Sequence, residues 1–236
     1  NKVRAYGIGK LKESKNKLRT LYMNNNYIAR DDASEVQLLM EAWSGHLLAL
    51  YLADNNIEWG LDRIAEEMKR PRGIGQLHLE VLDISGNDIG DRGARELADV
   101  LHAQNNLKKL VMKNNNITAY GVGIMAEALG KENAKSLEHL DLSENYIGDS
   151  GAEELASMLR KNDTLKELIL DSNKHGMIIF QEEGRKALFG ALKKEVCELR
   201  QLSIQFHFVG DVLCSEMADV LKANTSLKTL MLGNND

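Results

Sequence analysis

The sequence predicts an α/β solenoid, a right-handed coil in which short parallel strands and helices alternate along one axis. Three observations carry that expectation. One pattern, apolar-x-x-apolar-x-apolar-x-x-Asn-x-apolar, recurs through most of the 236 residues. Its first apolar positions, Leu18, Leu47, Leu79, Leu107, Leu137, Leu165, Leu199 and Leu227, stand 28 to 34 residues apart, a period in the range of about 20–50 residues that marks repeat architectures. The stretch between successive copies reads as a helix with one apolar face. No single copy can close a core, whereas a stack of copies buries a continuous one.

Residues 1–17 read as the end of a truncated preceding repeat. Asn1-Lys-Val-Arg-Ala-Tyr-Gly7 matches Asn115-Asn-Ile-Thr-Ala-Tyr-Gly121, which makes Asn1 equivalent to the pattern asparagine. Asn26 follows Asn1 by 25 residues, about one helical turn less than elsewhere, so either this helix is short or residues are missing near it. From 18 to 236 the solenoid runs through about eight repeats, the last incomplete. In each, the Leu-x-Leu piece is a short strand whose apolar side chains point inward and whose middle residue points outward. The asparagine lies just past the strand, where the chain turns over the core and backbone groups would otherwise be unpaired. The amides of Asn26, Asn55, Asn87, Asn115, Asn145, Asn173 and Asn235 both donate and accept, so a ladder of them can bridge successive turns. A helix follows. In residues 90–101 Asp91 is the expected N-cap and Ala94, Leu97 and Leu101 share a face; residues 148–159 repeat this with Asp149, Ala152, Leu155 and Leu159.

Three repeats are irregular. The second is 32 residues long and carries Lys69-Arg-Pro-Arg-Gly-Ile-Gly75 after its helix. The sixth is 34 residues long, with Met177, Ile178, Ile179 and Phe180 in what should be a loop. The seventh replaces the pattern asparagine by His207 between Phe206 and Phe208. Phe180, Phe206 and Phe208 either widen the local core or form an exposed anchor for a partner. Neither end carries a polar capping repeat, which predicts a piece of a longer protein.

Composition narrows the function. The chain is 43% hydrophobic and 28% charged, as in an ordinary globular protein, and no apolar run approaches the ~18 residues of a membrane helix. Two cysteines, Cys197 and Cys214, fit a reducing compartment. A net charge of −5 argues against nucleic acid as the main ligand. Residues 1–19 nevertheless carry a local +6 from Lys2, Arg4, Lys10, Lys12, Lys15, Lys17 and Arg19 against Glu13, either a solvated helix face or a contact for an acidic partner. Signatures of zinc proteases, redox dithiols and phosphate loops are missing. The six histidines fall at mostly different phases of the repeat, which makes no metal site, and no cofactor is expected. Gly121-Val-Gly-Ile-Met-Ala126 imitates a dinucleotide fingerprint, with Asp141 at the right distance. Its glycines follow the strand too late, however, and Gly93 and Gly151 hold the same phase, so helix packing explains them. Asn116, Asn162 and Asn224 head glycosylation sequons.

The repeats strongly resemble leucine-rich repeats of the ribonuclease-inhibitor-like class, over residues 18–236. That class includes ribonuclease inhibitor, NOD-like receptors, Ran GTPase-activating protein and several actin- and axoneme-associated proteins. The resemblance implies strands on a concave face, helices on a convex face, and no single function. The outward strand column on the concave face reads Tyr22, Tyr51, Asp83, Val111, Asp141, Ile169, Ser203 and Met231. The next reads Asn24, Ala53, Ser85, Lys113, Ser143, Asp171, Gln205 and Gly233. Five of the first eight are apolar or aromatic, the composition of an interface core. The expected function is a non-enzymatic protein-binding scaffold in an intracellular assembly, cytoskeletal or ciliary. The alternatives are the sensor region of a NOD-like receptor and a GTPase activator using Arg30 on the rim.

Overall fold

The computed structural model describes residues 5–13, 17–70, 77–103, 106–131, 135–172, 181–193, 197–205 and 210–235. Eight three-residue strands form one parallel sheet in sequence order: β1 (Thr20–Tyr22), β2 (Ala49–Tyr51), β3 (Val81–Asp83), β4 (Lys109–Val111), β5 (His139–Asp141), β6 (Glu167–Ile169), β7 (Gln201–Ser203) and β8 (Thr229–Met231). The register aligns Leu21, Leu50, Leu82, Leu110, Leu140, Leu168, Leu202 and Leu230. The helices are α1 (Ala5–Lys12), α2 (Ala33–Ala42), α3 (Leu61–Met68), α4 (Gly90–Ala103), α5 (Ala119–Leu129), α6 (Gly148–Leu159), α7 (Glu182–Leu192) and α8 (Gly210–Ala223). An open parallel sheet that alternates with helices in this way is the solenoid that the periodicity predicts.

The repeated apolar positions make the core. The aligned leucines from Leu50 to Leu202 are fully buried, as are Leu97 of α4 and Leu155 of α6. One apolar cluster runs without a break from Ile8 to Val220. Leu140→Ala in the middle of it should cost about 3 kcal/mol, the transfer loss plus a cavity that the flanking leucines cannot close. Urea unfolding would measure it, and a near-neutral result would put Leu140 outside the core.

Seven of the eight strands, all but β7, are followed among the described residues by a turn with a left-handed residue just before the pattern asparagine: Asn25, Asp54, Gly86, Asn114, Glu144, Ser172 and Asn234, with φ between 49 and 64°. Asn, Asp and Gly tolerate that conformation best. The ladder amides work through the backbone, not by pairing with one another. Asn55 Oδ1 accepts the N–H groups of Asn26 and Ile28, both at 3.0 Å. Asn145 Nδ2 donates to Leu142 O of its own turn and to Met112 O of the preceding one, at 3.0 and 2.9 Å. Asn235 does the same with Leu232 O and Ile204 O, whereas Asn173 lies outside the described residues.

The expected N-caps act one repeat away from where they were placed. Asp91 Oδ1 accepts the N–H groups of Thr118 and Gly121 at 2.7 and 3.1 Å, and its Oδ2 accepts the Thr118 hydroxyl at 2.7 Å. Asp149 Oδ1 accepts the N–H of Gln181 at 2.6 Å. Each carboxylate thus caps the helix of the following repeat, because the start of that helix packs against it. Gly121 is part of this contact. A Cβ there would run into Asp91 Oδ1 and stand 2.9 Å from Ile117 Cγ2 and 3.1 Å from Asp91 Cα. The apparent dinucleotide glycine is a packing glycine.

Glu67, in the last turn of α3, is 1% exposed. Arg70 Nε lies 3.0 Å from its Oε2 and Arg70 Nη1 lies 3.1 Å from Glu41, yet that Oε2 has no aligned hydrogen bond. Burial pushes the Glu67 carboxyl above its ordinary range, Arg70 pulls it back, and Glu41 raises it again. The folded chain therefore holds this proton more tightly than the unfolded chain. The resulting stabilisation is full below the ordinary carboxylate range and is lost as pH rises through the raised folded value. Glu67→Gln should remove that dependence. Urea midpoints of parent and variant should converge at acid pH, with the variant equal or more stable at pH 7. A variant less stable at neutral pH would show the Arg70 pair to be net favourable.

Candidate functional site

Alternation along each strand sends one side chain in and its two neighbours out. The outward face therefore has a column on each side of the buried leucines. The column Tyr22, Tyr51, Asp83, Val111, Asp141, Ile169 and Met231 is partly or fully exposed, while Ser203 is buried. A parallel column, Thr20, Ala49, Val81, Lys109, His139, Glu167, Gln201 and Thr229, lies one position before the leucines. Sequence reading missed it, although the residue before an inward leucine must face the same way as the residue after it.

The first two strands present an aromatic step. Tyr22 and Tyr51 stack with centroids 4.4 Å apart and planes 17° from parallel, and Tyr22 is 68% exposed. Burial pushes the Tyr51 phenol above its ordinary range, with Tyr22 and the Asp83 carboxylate adding to the effect. Asp83 turns one oxygen back onto its own strand, where Oδ1 accepts the N–H and hydroxyl of Ser85 at 3.0 and 2.7 Å. Asp141 does likewise with the N–H of Ser143 at 2.9 Å. Both side chains thereby fix the backbone just past their strands.

The middle of the face is charged. His139 Nδ1 lies 2.5 Å from Glu167 Oε2, and Lys113 Nζ lies 3.3 Å from Glu144 Oε1. Toward the last strands, Asp171 Oδ1 accepts the Ser203 hydroxyl and the Gln205 N–H at 2.6 and 2.8 Å, and Oδ2 accepts Gln205 Nε2 at 3.1 Å. Two positions before the strand leucines, Lys108 pairs with Glu80 and Lys166 with Glu138, each at 3.1 Å. These cross-repeat pairs are solvent-exposed and worth little individually.

Phe180, Phe206 and Phe208, the expected irregular anchor, lie outside the described residues. So does much of the basic terminal segment. Within its described part, Lys10 pairs with Glu13 at 2.9 Å, while Ile8 is buried against the solenoid. Of the sequon asparagines, Asn162 is buried: its Oδ1 accepts the Thr164 and Leu165 N–H groups at 3.0 and 2.8 Å, and its Nδ2 donates to Leu129 O at 2.8 Å. Asn224 repeats two of these bonds, to Leu227 and Leu192. They clamp the turn that leads into the next strand. Among the described residues no helix is long and apolar enough to cross a membrane.

Comparison with known proteins places these features in context. A family model described as a leucine-rich repeat matches residues 76–98 and 133–156. The chain is similar to ribonuclease inhibitor of Mus musculus, 31% identical over 191 residues that cover 80% of this chain and 40% of that protein. It is also similar to NACHT, LRR and PYD domains-containing protein 12 of Mus musculus, 29% identical over 209 residues, covering 86% of this chain and 19% of that protein. The chain thus spans less than half the length of either relative. Among solved structures, Leiomodin-1 Actin-Binding Site 2 (ABS2) shares the fold at a TM-score of 0.55 and 19% identity, over 70% of this chain and 86% of that one.

Proposed function

We infer that this chain, a leucine-rich-repeat protein of the ribonuclease-inhibitor-like class, is a non-enzymatic module that binds a partner protein on its open sheet face. One observation carries the reading: apolar and aromatic side chains, Tyr22, Tyr51, Val111, Ile169 and Met231, stand outward along a sheet whose inward positions are already filled by leucines. They lie outside the main apolar core, and a column in which apolar side chains predominate on one face is what an interface uses. Asp83 and Asp141 supply the polar contacts between them.

The setting we propose is a larger intracellular assembly, cytoskeletal or ciliary, in which the basic segment 1–19 faces an acidic partner surface. Likeness to a NACHT, LRR and PYD domains-containing protein supports a second reading, the sensing region of a receptor. Affinity purification of the native full-length protein, with mass spectrometry of what accompanies it, separates the two. Stoichiometric, salt-resistant partners that are lost when the sheet face is mutated support the scaffold. A partner-free protein whose gene encodes a phosphate loop upstream of these repeats supports the sensor. Partners retained by the sheet-face variant would remove binding from this face.

A further inference from the structure

We propose that the middle of the sheet face seats an amphipathic helix of a protein partner, lying along the solenoid axis with an acidic N-terminal turn over β4 and a basic C-terminal turn over β6. The inference rests on the sheet face being the binding surface. Val111, the last residue of β4, stands between Lys109 on the strand and Lys113 just past it; Ile169, the last residue of β6, stands between Glu167 on the strand and Asp171 just past it. All six are at least partly exposed. The register sets Lys109, His139 and Glu167 side by side, and likewise Val111, Asp141 and Ile169. Two apolar side chains, two strands apart, are thus each bracketed by like charges, and the sign reverses from one to the other. The exposed Lys113–Glu144 pair is weak enough for a partner carboxylate to compete with it.

The dimensions select a helix. Two strand spacings are about 9.6 Å, and helix residues i and i+7 are about 10.5 Å apart, so a pair of leucines in that spacing lands on Val111 and Ile169. The bracketing charges are four residues apart, from each strand into the segment that follows it, at most about 13 Å for extended chain, close to the roughly 10–12 Å width of a helix with its side chains. An extended segment would cover the middle column alone. Asp141 lies between the two apolar seats, with one oxygen on the Ser143 N–H, and calls for a donor at i+3 or i+4. Polarity follows from charge complementarity: acid over the lysines and base over the carboxylates, the order that the helix dipole itself favours.

The probes are two hydrocarbon-stapled peptides of equal composition and helicity, each with leucines seven residues apart. One carries glutamates in its first turn and lysines in its last; the other carries them reversed. Fluorescence anisotropy should find the acid-first peptide binding about tenfold tighter at low salt, with amide shifts confined to β4, β5 and β6 and the turns after them. The exchange Lys109→Glu with Glu167→Lys leaves one charge of each sign around both Val111 and Ile169 and should abolish the preference, and the milder Lys109→Gln and Glu167→Gln should each reduce it. Equal affinities, binding of neither peptide, or shifts elsewhere would overturn the proposal. None of these outcomes bears on whether the native partner is lost from the sheet-face variant, so the helix reading can fail while the sheet-face reading stands.

Discussion

Asn145→Ala should destabilise the protein by about 4 kcal/mol, more than the loss of a core leucine. The side chain is fully buried. Its Oδ1 accepts the N–H groups of Asn115 and Ile117 at 3.0 and 3.1 Å, and its Nδ2 donates to Met112 O, Leu142 O and Ser143 O at 2.9, 3.0 and 3.1 Å. Alanine leaves two buried N–H groups without this acceptor, at about 1–3 kcal/mol each, and opens a small void. The lesion sits between repeats, where nearest-neighbour coupling holds a solenoid together, so the unfolding transition should also broaden. Asn145→Asp is the informative companion. It keeps the acceptor but sets a carboxylate oxygen against three carbonyls. Its deficit should match that of alanine at neutral pH and shrink on acidification, when a protonated carboxyl can donate again. A cost below about 1 kcal/mol for Asn145→Ala would mean that water replaces the amide and the ladder does not join the turns.

The ladder was legible in the sequence because its geometry is compulsory. A chain that turns over a core every 28 to 34 residues must satisfy the same orphaned backbone groups each time, and an amide does so from one fixed position. The strands were legible for the same reason, since Leu140 and its equivalents have only one way to point. What escaped notice depends on contacts between repeats that no single repeat encodes. Asp91 reads as an N-cap but lies inside the first turn of α4, and only the packing of α4 against α5 turns it onto Thr118 and Gly121. Asn162 reads as a sequon and is a buried clamp. Glu67 looks like any surface glutamate of an amphipathic helix, yet it is enclosed where α2 and α3 meet. On the sheet face the pattern names its leucines so insistently that the residue before each strand leucine went unread. That column supplies Lys109 and Glu167, half of the bracketing charge at the middle of the face.

The triple variant Tyr51→Glu, Val111→Glu and Ile169→Glu should abolish partner binding, a loss of at least about a hundredfold, while the fold survives. All three side chains stand outward and partly exposed, so their loss opens no cavity under the buried leucines of β2, β4 and β6. The local costs differ. At position 111 a glutamate enters between Lys109 and Lys113 and is welcome there. At 169 it joins Glu167 and Asp171 and is repelled. At 51 it ends the stack with Tyr22 and approaches Asp83. The urea midpoint should therefore fall modestly, most of it through positions 51 and 169, with the circular dichroism unchanged. The binding loss is large because three desolvated anchors become three charges that the partner must dehydrate. Val111→Glu alone separates the two effects, since it should weaken binding with no cost to folding. Collapse of the triple variant would show that this column packs inward and that the register of the face is shifted. A folded variant that still holds its partner would move the interface to the helical side or the rims, leaving the outward tyrosines without a role in binding.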